Sequence, residues 1–281
     1  MQAIQTIKKI SAEKLPPILV LSGDDIGQFE GMKEQLLKKV GYDSSDLNYS
    51  YFDMKETAYS EVELDLVSLP FFADEKIVIL DHFVDVTTAK KRYLTDDELQ
   101  SFEGYLSAPL ETTRLIVFAE GKLDSKRRIV KLLKRDAQVL EATELKEQEL
   151  RAHFTEEIKS LGLAIDSPAF EQLLIKSGFD FSEIQKNLEF LKTYKGASSI
   201  TISDIEEAIP KTLQDNLFDL IQMILKKQID PARSLVKDLR LQGEDEIKLL
   251  AILLSQFRVY TQVKLLKQEG RTESQIVSDL S

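Results

Sequence analysis

Apolar and polar positions alternate in two different rhythms along this chain. In the first half, five short runs rich in β-branched and aromatic residues, at 18–21, 49–52, 77–80, 115–119 and 139–140, have the length of strands. Between them, residues 28–40, 59–67, 95–106 and 126–135 carry apolar side chains at helical spacing, and Thr95 with Glu98 forms a capping box at the start of the third. Strand and helix therefore alternate. The runs IVIL and LIVFA have no polar face, the pattern of strands covered on both sides, so the spacing predicts an α/β unit built on a parallel sheet.

Past residue 141 the strand signal stops and the three-and-four spacing takes over: Leu150, Phe154, Ile158, Leu161, then Leu173 and Leu174, then Ile184, Leu188 and Leu191. Ser203 with Glu206 reads as a capping box opening a short helix, and Pro210 marks a break. A further helical stretch runs through Leu213, Leu217, Leu220, Ile221 and Ile224 and on to Leu266, predicting an all-α bundle. Three parts are expected, 1–142, 143–211 and 212–281. Thr272 with Gln275 looks like a fresh N-cap box with only six residues after Gln275, which suggests a chain cut within its last domain.

Composition narrows the picture. Glycine (11) and proline (7) are scarce for 281 residues, in keeping with long helices. Cysteine is absent, which excludes disulfides, thiolate nucleophiles and thiolate metal sites. The longest apolar runs, such as 249–254, fall short of the roughly 18 residues a membrane span needs, and the polar, amphipathic start lacks the apolar core of a signal peptide. A cytoplasmic protein with no membrane partner is expected. With 37 basic and 48 acidic side chains the net charge is −11, which disfavours general coating of nucleic acid.

In an open parallel sheet, chemistry sits beyond the carboxyl ends of the strands. The first strand runs into Ser22-Gly23-Asp24-Asp25-Ile26-Gly27, where a nucleotide-binding protein keeps its phosphate loop, but Gln28 and Phe29 follow where Lys and a hydroxyl residue are required. Asp24 and Asp25 put carboxylates where phosphate would bind, which suits helix capping by both. After the third strand, Asp81-His82 resembles half of a Walker B motif with His82 in place of the catalytic Glu. Asp24, Asp25, Asp53, Asp81 and Glu120 all follow strands, so a Mg²⁺-dependent, receiver-like phospho-acceptor with a helical output region is the alternative reading. His82 and His153 lack ligand-spaced partners and read as surface residues.

Three segments point to binding. Between 122 and 135 seven basic residues face one acid, and Lys126, Arg127, Lys131 and Lys134 are candidate contacts to DNA or an acidic partner, or simply the wet face of an amphipathic helix. In Ser68-Leu69-Pro70-Phe71-Phe72-Ala73-Asp74, Pro70 ends a helix and adjacent Phe71 and Phe72 cannot share one face, so either an apolar tip projects or both rings enter the core. Gln214-Asp215-Asn216-Leu217-Phe218 has the spacing of clamp-binding peptides, yet Leu217 belongs to a core stripe.

The succession ILVLSGDD, SLPFFADEKIVIL, LIVFAEGKLDSKRRIVKLLK, ITISDIEEAI and NLFDLIQMILK resembles the delta subunits of the bacterial DNA polymerase III clamp loader. The resemblance implies an AAA+/RecA-like sheet domain with a degenerate nucleotide site (1–142), an all-α lid (143–211) and an all-α collar (212–281) that joins other loader subunits. It implies no catalytic residues and no cofactor, in a subunit of a DNA-directed DNA polymerase (nucleotidyltransferase) holoenzyme. Leu69, Pro70, Phe71 and Phe72 would enter a pocket of the DNA sliding clamp and open its ring, with primed DNA met indirectly or weakly.

Overall fold

A computed structural model describes residues 2–70, 73–196, 198–210 and 213–280, Gln214 by its backbone alone. The chain forms two compact units, Met1–Ile165 with Phe179–Ile200, and Asp166–Gly178 with Thr201–Ser281. In chain order the elements of the sheet region are α1 (Gln2–Lys9), β1 (Ile18–Gly23), α2 (Ile26–Val40), β2 (Tyr49–Asp53), α3 (Tyr59–Val67), β3 (Lys76–Asp81), α4 (Asp96–Ser107), β4 (Thr113–Glu120), α5 (Arg128–Asp136) and β5 (Gln138–Ala142). The helices α6 (Glu147–Leu161), α7 (Ser167–Lys176), α8 (Phe181–Lys195), α9 (Ile202–Ala208), α10 (Leu213–Leu225), α11 (Ile229–Leu241), α12 (Glu246–Gln268) and α13 (Glu273–Leu280) follow.

All five expected strands are present and all pair in parallel, in the order β2-β3-β4-β1-β5. The register sets Ile18 opposite Leu115 and Lys76 opposite Thr113. Every residue of β1 and β3 is buried, as the unbroken apolar runs require of strands covered on both faces. Successive side chains take opposite sides. Ile18, Val20, Val78, Leu80, Leu115 and Val117 join a core with Val62 and Leu66 of α3, Phe102 and Leu106 of α4, and Ile129, Val130 and Leu133 of α5. On the other side α2 packs on β1 and β4, burying Phe29, Met32 and Leu36, and α1 lies against α2 with Ile4 and Ile7 inward. The capping box of Thr95 and Glu98 opens α4 as expected.

The helices of 143–211 are divided between the units. Phe154 of α6 meets Phe181 of α8 at 4.9 Å between ring centroids, with His153 at 5.0 Å from both, which ties these two helices into the first unit. His153 is buried there, not a surface residue as expected, because its position on α6 falls on the same face as Leu150 and Phe154.

In the second unit α7 pairs with α9. Lys176 donates from Nζ to the carbonyls of Ile205 (3.2 Å), Glu206 (3.1 Å) and Ile209, gathering acceptors at the C-terminus of α9, where the Ile205 carbonyl also accepts the Ile209 N–H. The capping box of α9 is Thr201 with Asp204, not Ser203 with Glu206: Thr201 is the last extended residue, so Ser203 already lies inside the helix. Leu217, Leu220, Leu239 and Leu249 form the core of α10, α11 and α12. The Thr272 N–H donates to Gln275 Oε1 at 3.0 Å where α13 opens. Although no unbroken apolar run reaches membrane length, α12 with 23 residues and a mean hydropathy of 1.2 passes as a span by length and composition. Its Leu249, Ile252 and Leu253 join the core of α10 and α11, while Ile247, Leu250, Leu254 and Leu265 are exposed.

Candidate partner-docking site

The place where phosphate would sit is occupied by the chain itself. Asp25 caps α2, accepting from Gln28 N at 3.0 Å, while the Gln28 amide donates to the Asp25 carboxylate and to Thr143 O at 2.8 Å. The free N–H groups and positive end of α2 thus meet an internal carboxylate. Only Asp25 caps; Asp24 is exposed and takes no such part, because one side-chain oxygen at the N-cap position suffices. A side chain at Gly27 has no room, since a Cβ there would lie 2.1 Å from Ser182 Oγ, at the start of α8.

Beyond β2 and β3 the acids are also engaged. Asp81, buried, pairs with Lys33 Nζ at 2.6 Å and accepts the Tyr51 hydroxyl. Burial raises the Tyr51 hydroxyl well above its ordinary pKa, and the Asp81 charge adds to the effect. His82, with φ 55°, reaches Asp53 from Nδ1 at 2.9 Å. Burial works against the Asp53 charge, but the Lys55 N–H and His82 outweigh it and hold the carboxyl below the usual range. Among the described residues no three acidic or His side chains come together as metal ligands. The strand order also contradicts the phospho-acceptor alternative: receivers order their strands 2-1-3-4-5, whereas β1 here lies between β4 and β5.

The first unit instead presents an apolar projection at the end of α3. Tyr59, Val62 and Leu66 fall on one helical face and are buried, which turns Leu64 and Val67 outward, 72% and 56% exposed. Leu69, just beyond the helix, is 67% exposed, and Pro70 beside it is half-buried. Phe71 and Phe72 lie outside the described residues. A buried cation anchors the base of this projection. Lys76 Nζ, at the start of β3, donates to Ser68 Oγ at 2.8 Å, pairs with Asp65 Oδ1 at 3.3 Å and reaches the Asp65 carbonyl. Neighbouring exposed apolar side chains on a fixed stem are what a docking surface requires.

Two family models match: DNA polymerase III, delta subunit, over residues 19–143, and DNA polymerase III delta subunit, C-terminal domain, over residues 214–281. The chain belongs to the DNA polymerase III delta subunit family. Among curated relatives, DNA polymerase III subunit delta of Bacillus subtilis (strain 168) is 26% identical over 276 residues, covering 97% of this chain and 80% of the relative. The solved structure of the Bacillus subtilis DNA clamp loader delta protein aligns with 99% of this chain and 82% of that one, at 26% identity and a TM-score of 0.64. A RuvB structure from Thermotoga maritima aligns at 11% identity over 81% of this chain and 74% of that one, with a TM-score of 0.45.

Within this family member the basic segment divides. The Arg127 guanidinium turns inward to the Asp85 carbonyl and to Asp124 at 3.4 Å, whereas Lys126, Lys131 and Lys134 remain exposed, Lys134 reaching Ser125 Oγ at 3.3 Å. In α10, Leu217 is buried as expected and Phe218 beside it is 54% exposed. Leu64 and Val67 escaped the sequence reading, although the spacing of Tyr59, Val62 and Leu66 around them already assigned them to the opposite face.

Proposed function

We propose that this chain is a clamp-opening delta subunit without catalysis of its own. It docks on the DNA sliding clamp through the projection at the end of α3, with Leu69, Pro70, Phe71 and Phe72 as the plug and Leu64 and Val67 beside it, and its greater affinity for the open clamp than for the closed one opens the ring. The observation that carries this reading is the exposed Leu64, Val67 and Leu69 cluster on a stem anchored by Lys76. The absence of a phosphate-loop Lys and the closure of the Gly27 position by Ser182 support a passive role. By the family resemblance, residues 143–211 form the lid and 212–281 the collar that meets other loader subunits in the cytoplasm. Lys126, Lys131 and Lys134 are the side chains offered to primed DNA or an acidic partner.

The test is surface plasmon resonance of the full chain against purified sliding clamp. Burying two large apolar side chains is worth about 3–6 kcal/mol, so Leu64→Asp with Leu69→Asp, and separately Phe71→Ala with Phe72→Ala, should each weaken binding by about 100-fold or more. Because Leu64 and Leu69 are exposed, the first pair should leave the thermal melt unchanged. Affinity within about twofold of wild type in both pairs overturns the reading.

A further inference from the structure

The second unit carries a groove that the clamp reading does not use. It lies between α10 and α11, has a volume of about 600 Å³, and is floored by Leu220, Ile224, Ala232 and Val236. Four cations rim it, Lys227 from the end of α10 and Arg233, Lys237 and Arg240 from α11, and no acid lines it. This is a local inversion in a chain of net charge −11.

The arrangement follows from helical spacing. Arg233, Lys237 and Arg240 recur every three or four residues beside Val236, while Asp238 turns away from them and Asp230, one turn before Arg233 on the same side of α11, lies outside the lining of the groove. Arg240 is already paired with Glu246. Lys227, Arg233 and Lys237 are exposed and make no ion pair among the described residues.

We propose that this groove binds an acidic amphipathic helix of a partner protein. Apolar side chains of that helix would fill the floor, and carboxylates at the same three-and-four repeat would meet the rim one for one. Arg233 and Lys237 stand about 6 Å apart along α11, the rise of one helical turn, so a helix laid alongside keeps in step with them. The apolar floor favours a peptide over a polyanion, because a phosphate backbone gains nothing from Leu220, Ile224 and Val236. Charge complementarity also sets specificity, since a basic helix of equal hydrophobicity would be repelled.

The experiment uses the full chain and a fluorescein-labelled 18-residue helical peptide with a leucine stripe flanked by glutamates, followed by fluorescence anisotropy. The expected result is binding about 10-fold or more tighter than that of a scrambled peptide or of the lysine-for-glutamate version, and weaker at high salt. Arg233→Glu with Lys237→Glu should remove about 10-fold or more of that affinity, and so should Val236→Asp; the first pair lies on the surface and keeps the thermal melt unchanged. Four outcomes each overturn the proposal: no binding of the glutamate peptide, equal binding of the lysine peptide, displacement of the glutamate peptide by a single-stranded oligonucleotide, or a dimer of this chain that the charge-reversed pair dissolves. None of these readouts involves the sliding clamp, so failure here is distinguishable from failure of the docking role of α3.

Discussion

Gly27 is constrained by a residue far away in sequence. A methyl group there would collide with Ser182 Oγ, so Gly27→Ala should destabilise the first unit by about 1–3 kcal/mol in urea unfolding, and Ser182→Gly should restore much of the loss. An undiminished midpoint in the single variant would contradict the contact. Asp81 poses the opposite case. Asp81→Asn leaves the part-buried Lys33 ammonium without its counter-charge and should cost about 1.5–3 kcal/mol, whereas Asp81→Leu with Lys33→Met should recover most of it. Neither contact was legible in the sequence. What could be read was the missing Lys after Gly27, because that signal is local, whereas the approach of Ser182 is a product of packing. His153 was misread for the same reason: a lone His says nothing of Phe154 and Phe181 closing over it.

At the level of elements, patterning was the better guide. The five strands follow from short unbroken runs of β-branched and aromatic residues and the helices between them from period-3.6 apolarity, and the capping box at Thr95 forms as expected. Thr95→Ala should therefore cost about 1 kcal/mol, measured by chemical unfolding. The capping box of α9 was displaced by two residues because Thr201-x-x-Asp204 and Ser203-x-x-Glu206 both fit the pattern, and only the backbone turn at Thr201 decides between them. The docking stem makes a sharper prediction. Lys76 touches no partner in the proposed complex, yet it fixes the end of α3 through Asp65 and Ser68, so Lys76→Met should weaken clamp binding several-fold while Leu69 remains in place. Full affinity with a lowered melting point would show that Lys76 serves the fold alone.

For the molecule as a whole, burial sets the alkaline limit. Burial pushes the hydroxyls of Tyr59 and Tyr105 up to about 12, against 10.0 for the ordinary group, and Tyr51 is raised as well. The unfolded chain gives up these protons first, so their contribution is complete below about pH 10 and disappears as the pH rises through about 12. The urea midpoint should be level up to about pH 10 and fall steeply beyond it; a level midpoint at pH 12 would place these hydroxyls in water. At the self-filled head of α2, an ammonium introduced by Gln28→Lys would be set against Asp25, with Ser182 still against Gly27, and such a variant should turn over no nucleotide. The head of α2 is in this way closed by shape as well as by charge, so that one substitution at Gln28 leaves the contact of Ser182 with Gly27 untouched.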